Sequence, residues 1–175
     1  KGWRGQYNAA AKNFYQTRDI PKIQQLLAGI SERKPEIGTV VVDTLNTCMV
    51  DQEIKNMKQV GFGKWVDLTQ FVWDTIELAA GLRDDLTIIF VMHSETIKDD
   101  DGYILTRIRT NGRKLEKVIL ESLFGTVLLA KRTEDGRYVF ETQARHSTAK
   151  SPLGAFESFE IDNDMAAVVK ALAEY

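Results

Sequence analysis

Cysteine occurs once in these 175 residues, histidine twice and proline three times. A lone Cys48 excludes an internal disulfide, and with only two histidines it cannot build a Cys/His zinc cluster. With proline so scarce, nothing reads as a long linker, and neither repeats nor low-complexity tracts break the chain. No apolar run approaches the roughly 20 residues of a membrane span, and no signal peptide is visible, so no membrane partner is expected. One cysteine fits a reducing compartment. The formal net charge of -2 supplies no global basic field, so any nucleic-acid contact must come from a local patch. The chain starts at Lys1 without an initiator Met, which leads us to expect a fragment or a processed product.

What remains is ordinary for a soluble globular domain: 43% apolar and 27% charged residues, enough chain for one continuous core. One domain is expected over 1–175, with 1–18 a connecting segment, 19–156 the core and 157–175 a C-terminal helix. The connecting segment carries Trp3, Tyr7, Phe14 and Tyr15 without clear periodicity. From Asp19 the pattern sharpens. Asp19 can cap, Pro21 suits a first helical turn, and Ile23, Leu26, Leu27 and Ile30 share a helical face.

Thr39-Val40-Val41-Val42-Asp43, entered from Gly38, reads as a buried strand of a parallel sheet. A polar stretch follows from Gln52 to Gly63. A helix is expected from Trp65 to Leu82, where Val66, Thr69/Gln70, Trp73, Ile76/Glu77 and Ala80 recur at helical spacing. Leu86 to Met92 reads as a second buried strand, ended by His93-Ser94-Glu95. Ile97 to Gly112 is polar and turn-rich, and Lys114 to Phe124 looks helical. Thr126 to Ala130 and Arg137 to Thr142 read as two further strands joined through the hairpin signal Glu134-Asp135-Gly136. Asp162 to Tyr175 reads as a short amphipathic helix. Strand, helix, strand, helix and then a hairpin is an α/β order with crossover connections.

In open α/β sheets ligands gather at the carboxyl ends of the strands, which here carry Asp43-Thr44 and His93-Ser94. An apolar strand ending in Asp can place a carboxylate that orients water on Mg²⁺ beside nucleotide phosphates. The plainer reading of Asp43 is a cap for the next helix. His93 ends the second strand at the matching place, where a polar side chain can sense a γ-phosphate. Its plainer reading is a histidine satisfied by nearby carbonyls. Farther on, Arg107, Arg109, Arg113, Lys114 and Lys117 gather near Tyr103, a composition that can follow a single-strand backbone and stack a base. Asp99, Asp100 and Asp101 lie beside them, and mixed charge of this kind also suits a merely solvated surface.

Asp43-Thr44 after a valine run, Gly61-Phe62 with Trp65 leading a helix, Val91 to Glu95, and Thr148-Ala149-Lys150-Ser151-Pro152-Leu153-Gly154 occur in this order. Together they resemble phage-encoded RecA-like ATP-binding proteins, single-domain P-loop ATPases of recombination and single-strand annealing. The resemblance spans roughly Ile37 to Phe156. It implies an α/β fold, a RecA-like P-loop NTPase core with a mostly parallel sheet and a C-terminal β-hairpin. It implies ATP and Mg²⁺ as cofactors, with Asp43 on Mg²⁺ through water and Thr44 beside it, and His93 as sensor. Lys150 is the residue expected to reach a neighbouring subunit's nucleotide, with Arg145 second; alone, Lys150 reads as a solvated lysine. The implied partners are single-stranded DNA, bound through Arg107, Arg109, Arg113 and Lys114, further copies in a ring or filament, and other phage recombination proteins. The implied setting is the cytoplasm of a bacterial host.

One departure from that family is plain. No Gly-x-x-x-x-Gly-Lys-Ser/Thr occurs anywhere: Gly63-Lys64 is followed by Trp65, and the position five before Gly63 is Lys58. A phosphate cradle needs consecutive backbone N–H groups, a lysine and a hydroxyl for Mg²⁺. The expectation is therefore an ATPase when a cradle is supplied from upstream, and an inactive chain by itself. The alternative is a non-catalytic interaction or scaffold domain that kept the fold without nucleotide turnover. A metal-dependent nuclease is poorly served, since Asp51 and Glu53 are the acids nearest Asp43 and read as loop residues.

Overall fold

The computed structural model describes residues 5–58, 63–98, 100–110 and 118–175. Three helices build the main core. Helix α1, Ile20–Arg33, starts where Asp19 accepts a hydrogen bond from the Lys22 N–H and Pro21 occupies the first turn. Its buried stripe is Ile20, Ile23 and Leu27. Helix α2, Leu45–Lys55, is capped by Thr44 and buries Leu45, Asn46, Cys48 and Met49. Helix α3, Gly63–Ala80, buries Leu68, Val72, Thr75 and Ile76. Its buried face is therefore not the one carrying Val66, which stays exposed. The Thr75 hydroxyl is fully buried because it donates to the Phe71 carbonyl at 2.6 Å and accepts from Gln24 of α1 at 2.9 Å.

These helices cover one face of a two-stranded parallel sheet, β1 (Thr39–Asp43) and β2 (Thr87–Val91), in the register Thr39 to Thr87 through Asp43 to Val91. Val40, Val42, Ile88, Phe90 and Met92 turn toward the helices, as the period of two demands. On the other face Val41 and Val91 remain exposed. The chain then folds into an antiparallel hairpin, β3 (Ser94–Lys98) with β4 (Ile104–Ile108), and a 3-10 turn at Leu120–Leu123. Strands β5 (Leu129–Arg132), β6 (Tyr138–Glu141) and β7 (Glu160–Asp162) form an antiparallel sheet in that order. Helix α4, Met165–Glu174, closes the chain, capped by Asp164.

The mixed α/β class, the parallel pairing of the two apolar strands and the C-terminal hairpin follow the sequence. A mostly parallel sheet does not: among the described residues only β1 and β2 pair in parallel, and the hairpin gains β7 as a third strand. The expected helix, Lys114 to Phe124, begins on residues 114–117, outside the described ones, and ends on the short 3-10 turn. The stretch taken as polar turns is the β3–β4 hairpin, turning at Gly102 with φ +86°. The turn at Glu134-Asp135-Gly136 forms as expected, with Gly136 at φ +87°. There the Thr133 hydroxyl and the Arg137 guanidinium hold the Asp135 carboxyl down at about 2. No described helix is long and apolar enough to cross a membrane.

Candidate functional site

The parallel register sets Asp43 and Val91 side by side, so the carboxyl ends of β1 and β2 open on one edge. Asp43 does not cap the helix that follows. Thr44 takes that work, accepting from the Thr47 N–H at 3.3 Å and exchanging a hydroxyl hydrogen bond with Thr47 at 3.2 Å. The cap leaves Asp43 exposed, without a hydrogen bond or ion pair to any described residue. Its neighbour Thr44 is half-buried and engaged.

Two residues after β2, His93 is tied down by its backbone. Its N–H donates to the Asn46 side chain at 2.8 Å, and its carbonyl accepts from the Arg109 N–H at 2.8 Å. Asn46 completes the triangle by donating to the Arg109 carbonyl at 2.7 Å. Asn46 is only 3% exposed, so a side chain in the first turn of α2 fixes the ends of both β2 and β4. The His93 imidazole points to solvent with no partner among the described residues. Sequence reading passed over Asn46. Its signal was a polar side chain beside Leu45, Cys48 and Met49 near the start of a helix.

Below β4 a buried acid does similar work. Glu121 accepts from the Ile108 N–H and the Thr148 hydroxyl, both at 2.8 Å, and so locks residue 148 to the end of β4. Thr106 adds two backbone bonds, to the His146 carbonyl at 2.7 Å and from the Thr148 N–H at 2.9 Å. The Thr148–Gly154 segment is thus rigid at its start and free at its tip, where Leu153 is 90% exposed. Lys150 is half-buried and its backbone bridges Val127; its ammonium has no partner among the described residues. No described bond joins it to Asp43 or His93. Arg145 is exposed, with its guanidinium over the Phe159 ring at 5.5 Å.

A third acid, Glu141, is buried in the C-terminal sheet, where burial pushes its carboxyl up. The Lys131 ammonium at 2.8 Å and the Ser147 hydroxyl at 2.5 Å outweigh burial and leave it below the usual value. Lys131 is raised in turn by Glu141 and Glu160.

The basic patch is only partly available. Arg107 is held by Glu95 at 2.9 Å across the β3–β4 hairpin, whereas the Arg109 side chain is exposed and unpaired among the described residues. Tyr103 is exposed and stacks at a tilt on His146, with centroids 5.9 Å apart. Arg113, Lys114 and Lys117 lie outside the described residues, as does Asp99.

A nucleotide with Mg²⁺ can be tested against these groups. One free carboxylate at a strand end suits an outer-sphere contact to Mg²⁺ through water. Among the described residues no three His, Cys, Asp or Glu side chains gather as a direct metal cage. The Asp43 carboxylate is the group that fits; no described residue supplies a phosphate cradle. The model of a family described as an AAA domain matches residues 4–153. Among curated proteins and solved structures, nothing matches.

Proposed function

We propose, on the premise that this chain belongs to the AAA domain family, that it reads the state of a bound ATP and passes it to a single-stranded DNA contact. Family membership supports a nucleotide-binding, ATPase-type function. The observation that carries the finer reading is the joint at the strand ends. Asp43 is left free by the Thr44 cap, and His93 is bonded through Asn46 to Arg109, the exposed arginine of the basic patch. In this reading Mg²⁺ neutralises phosphate charge and orients the attacking water. Asp43 holds a water of the metal's shell, and His93 faces the terminal phosphate. A displacement at His93 reaches Arg109 through two hydrogen bonds on one buried amide, so no long pathway is needed. Lys150, on a rigid base beside a protruding Leu153, acts on the nucleotide of an adjacent copy in a ring or filament. A phage recombination setting and a bacterial cytoplasm belong to the same reading.

A scaffold role without turnover has one observation in its favour, the lack of a phosphate-loop motif in the sequence. The two separate in the protein as encoded. Asp43→Asn should lower ATP turnover by about a hundredfold or more. Because the Asp43 carboxylate bonds no described residue, the same change should move folding stability by less than about 0.5 kcal/mol. Turnover equal to wild type would remove Asp43 from the mechanism, and no turnover in either protein would favour the scaffold.

A further inference from the structure

The Lys150 ammonium has no partner among the described residues, yet every residue from 147 to 151 is held in place. The Ser147 hydroxyl donates to Glu141 at 2.5 Å and accepts from the Ala149 N–H at 3.1 Å. Thr148 gives its hydroxyl to Glu121 at 2.8 Å. Lys150 itself exchanges two backbone bonds with Val127, at 2.7 and 2.8 Å. Just past it, the Gln143 side-chain amide donates to the Ser151 hydroxyl at 2.8 Å and to the Ser151 carbonyl at 3.1 Å. That hydroxyl in turn donates to the Thr142 carbonyl at 3.1 Å.

These bonds decide which way the lysine turns. Bridges to Thr106 at Ser147 and to Val127 at Lys150 mark the segment as extended. Ser147 and Ser151 both turn to the end of β6 and the residues directly after it, whereas Thr148 turns away, to the 3-10 turn. Alternate side chains of an extended segment share a side, so Lys150 goes with Thr148. A slip of one residue would turn the ammonium toward the buried Glu141 instead. A lysine stem is flexible by itself, and a loose backbone would spread its charge over a still wider volume. With the backbone bonded on both sides, only the stem's own rotamers remain free.

We infer that Gln143 and Thr148 are positioning residues, which hold the chain on either side of Lys150 and so aim its ammonium at the nucleotide of the adjacent copy. The inference rests on the role given to Lys150 above and adds the side chains that make that role geometrically possible. Neither residue touches the nucleotide; each acts through the lysine.

ATP turnover of the protein as encoded tests it. Thr148→Val keeps the shape and loses the hydroxyl, and Gln143→Ala releases Ser151. A displacement of about 1 Å can cost about a hundredfold in rate, so each variant should lower kcat by about tenfold. KM for ATP should move by less than about threefold. Thr148→Ser, which restores the hydroxyl, should bring kcat back to within about twofold of wild type. In a Lys150→Ala background Thr148→Val and Gln143→Ala should each cost less than about twofold, because the ammonium they aim is gone. An equal loss in both backgrounds would overturn the proposal, and so would a Thr148→Ser protein as slow as Thr148→Val. Wild-type kcat in both variants while Lys150→Ala is slow would overturn it and leave the role of Lys150 standing. A wild type without turnover, or a Lys150→Ala protein as fast as wild type, would refute that role and the proposal together. Should urea unfolding show that Thr148→Val does not fold, Gln143→Ala, at a half-buried position, decides the question.

Discussion

Replacing Asn46 by Ala removes one small side chain and two hydrogen bonds, and the structure says what each leaves behind. The His93 N–H loses its acceptor at 2.8 Å and the Arg109 carbonyl loses its donor at 2.7 Å. A buried backbone group left unpaired costs about 1–3 kcal/mol. Both groups belong to residues with exposed side chains, so water can reach part of each and the lower end of the range applies. The expected loss is about 2–3 kcal/mol for the pair. With a urea slope of about 2 kcal/mol/M for a domain of this size, the midpoint should fall by about 1–1.5 M with the slope unchanged. Asn46→Asp keeps an acceptor for His93 but sets a carboxylate oxygen against the Arg109 carbonyl. It should therefore destabilise at least as much at neutral pH. A midpoint shift under about 0.25 M for Asn46→Ala would show that water replaces the amide freely, and that Asn46 does not hold the two strand ends.

Glu121→Ala strands the Ile108 N–H and the Thr148 hydroxyl, and should cost about 2–4 kcal/mol in urea unfolding; Glu121→Gln, which keeps an acceptor oxygen, should cost less than half of that. Glu141 sits below its ordinary value of 4.5, so its contribution to stability is full above that pH and is lost as pH falls through its folded value. Urea midpoints from pH 7 to 3 should show this acid loss in wild type and a shallower one in Glu141→Gln; identical profiles would refute the assignment. In single-stranded DNA anisotropy across a salt series, Arg109→Ala should lower the salt slope by about 1, whereas Arg107→Ala, already neutralised by Glu95, should change it less. The reverse order would move the DNA contact from Arg109 to Arg107.

Local chemistry made much of the fold legible. Asp19 with Pro21 announced α1, two β-branched runs announced β1 and β2, and Asp135-Gly136 announced the β5–β6 turn, because each signal acts within a few residues. The misses share a different cause. Strand β7 is three residues long and exists by pairing with Val139, Phe140 and Glu141, so its stability is tertiary. The β3–β4 hairpin was hidden because Ser94, Thr96 and Lys98 put polar groups on an exposed face, which reads as a loop when its partner strand is unknown. Helix α2 was missed because only its first turns bury apolar side chains. Val50 and Ile54 fall on its exposed side and blur the stripe.

The candidate site divides along the same line. Asp43 and His93 were legible because a strand end is a place that sequence can mark. Their surroundings were not, and the surroundings decide which bonds each residue makes. Whether Asp43 is a cap or a free carboxylate turns on a single residue: Thr44 offers a hydroxyl one position later and takes the Thr47 N–H, so Asp43 has no structural duty left among the described residues. His93 was open to being satisfied by carbonyls. Here its backbone is satisfied instead, through Asn46 and Arg109, which fixes the residue while leaving the imidazole unspent. In both cases the neighbour's engagement, rather than the residue's own identity, leaves the side chain without a bond to a described residue.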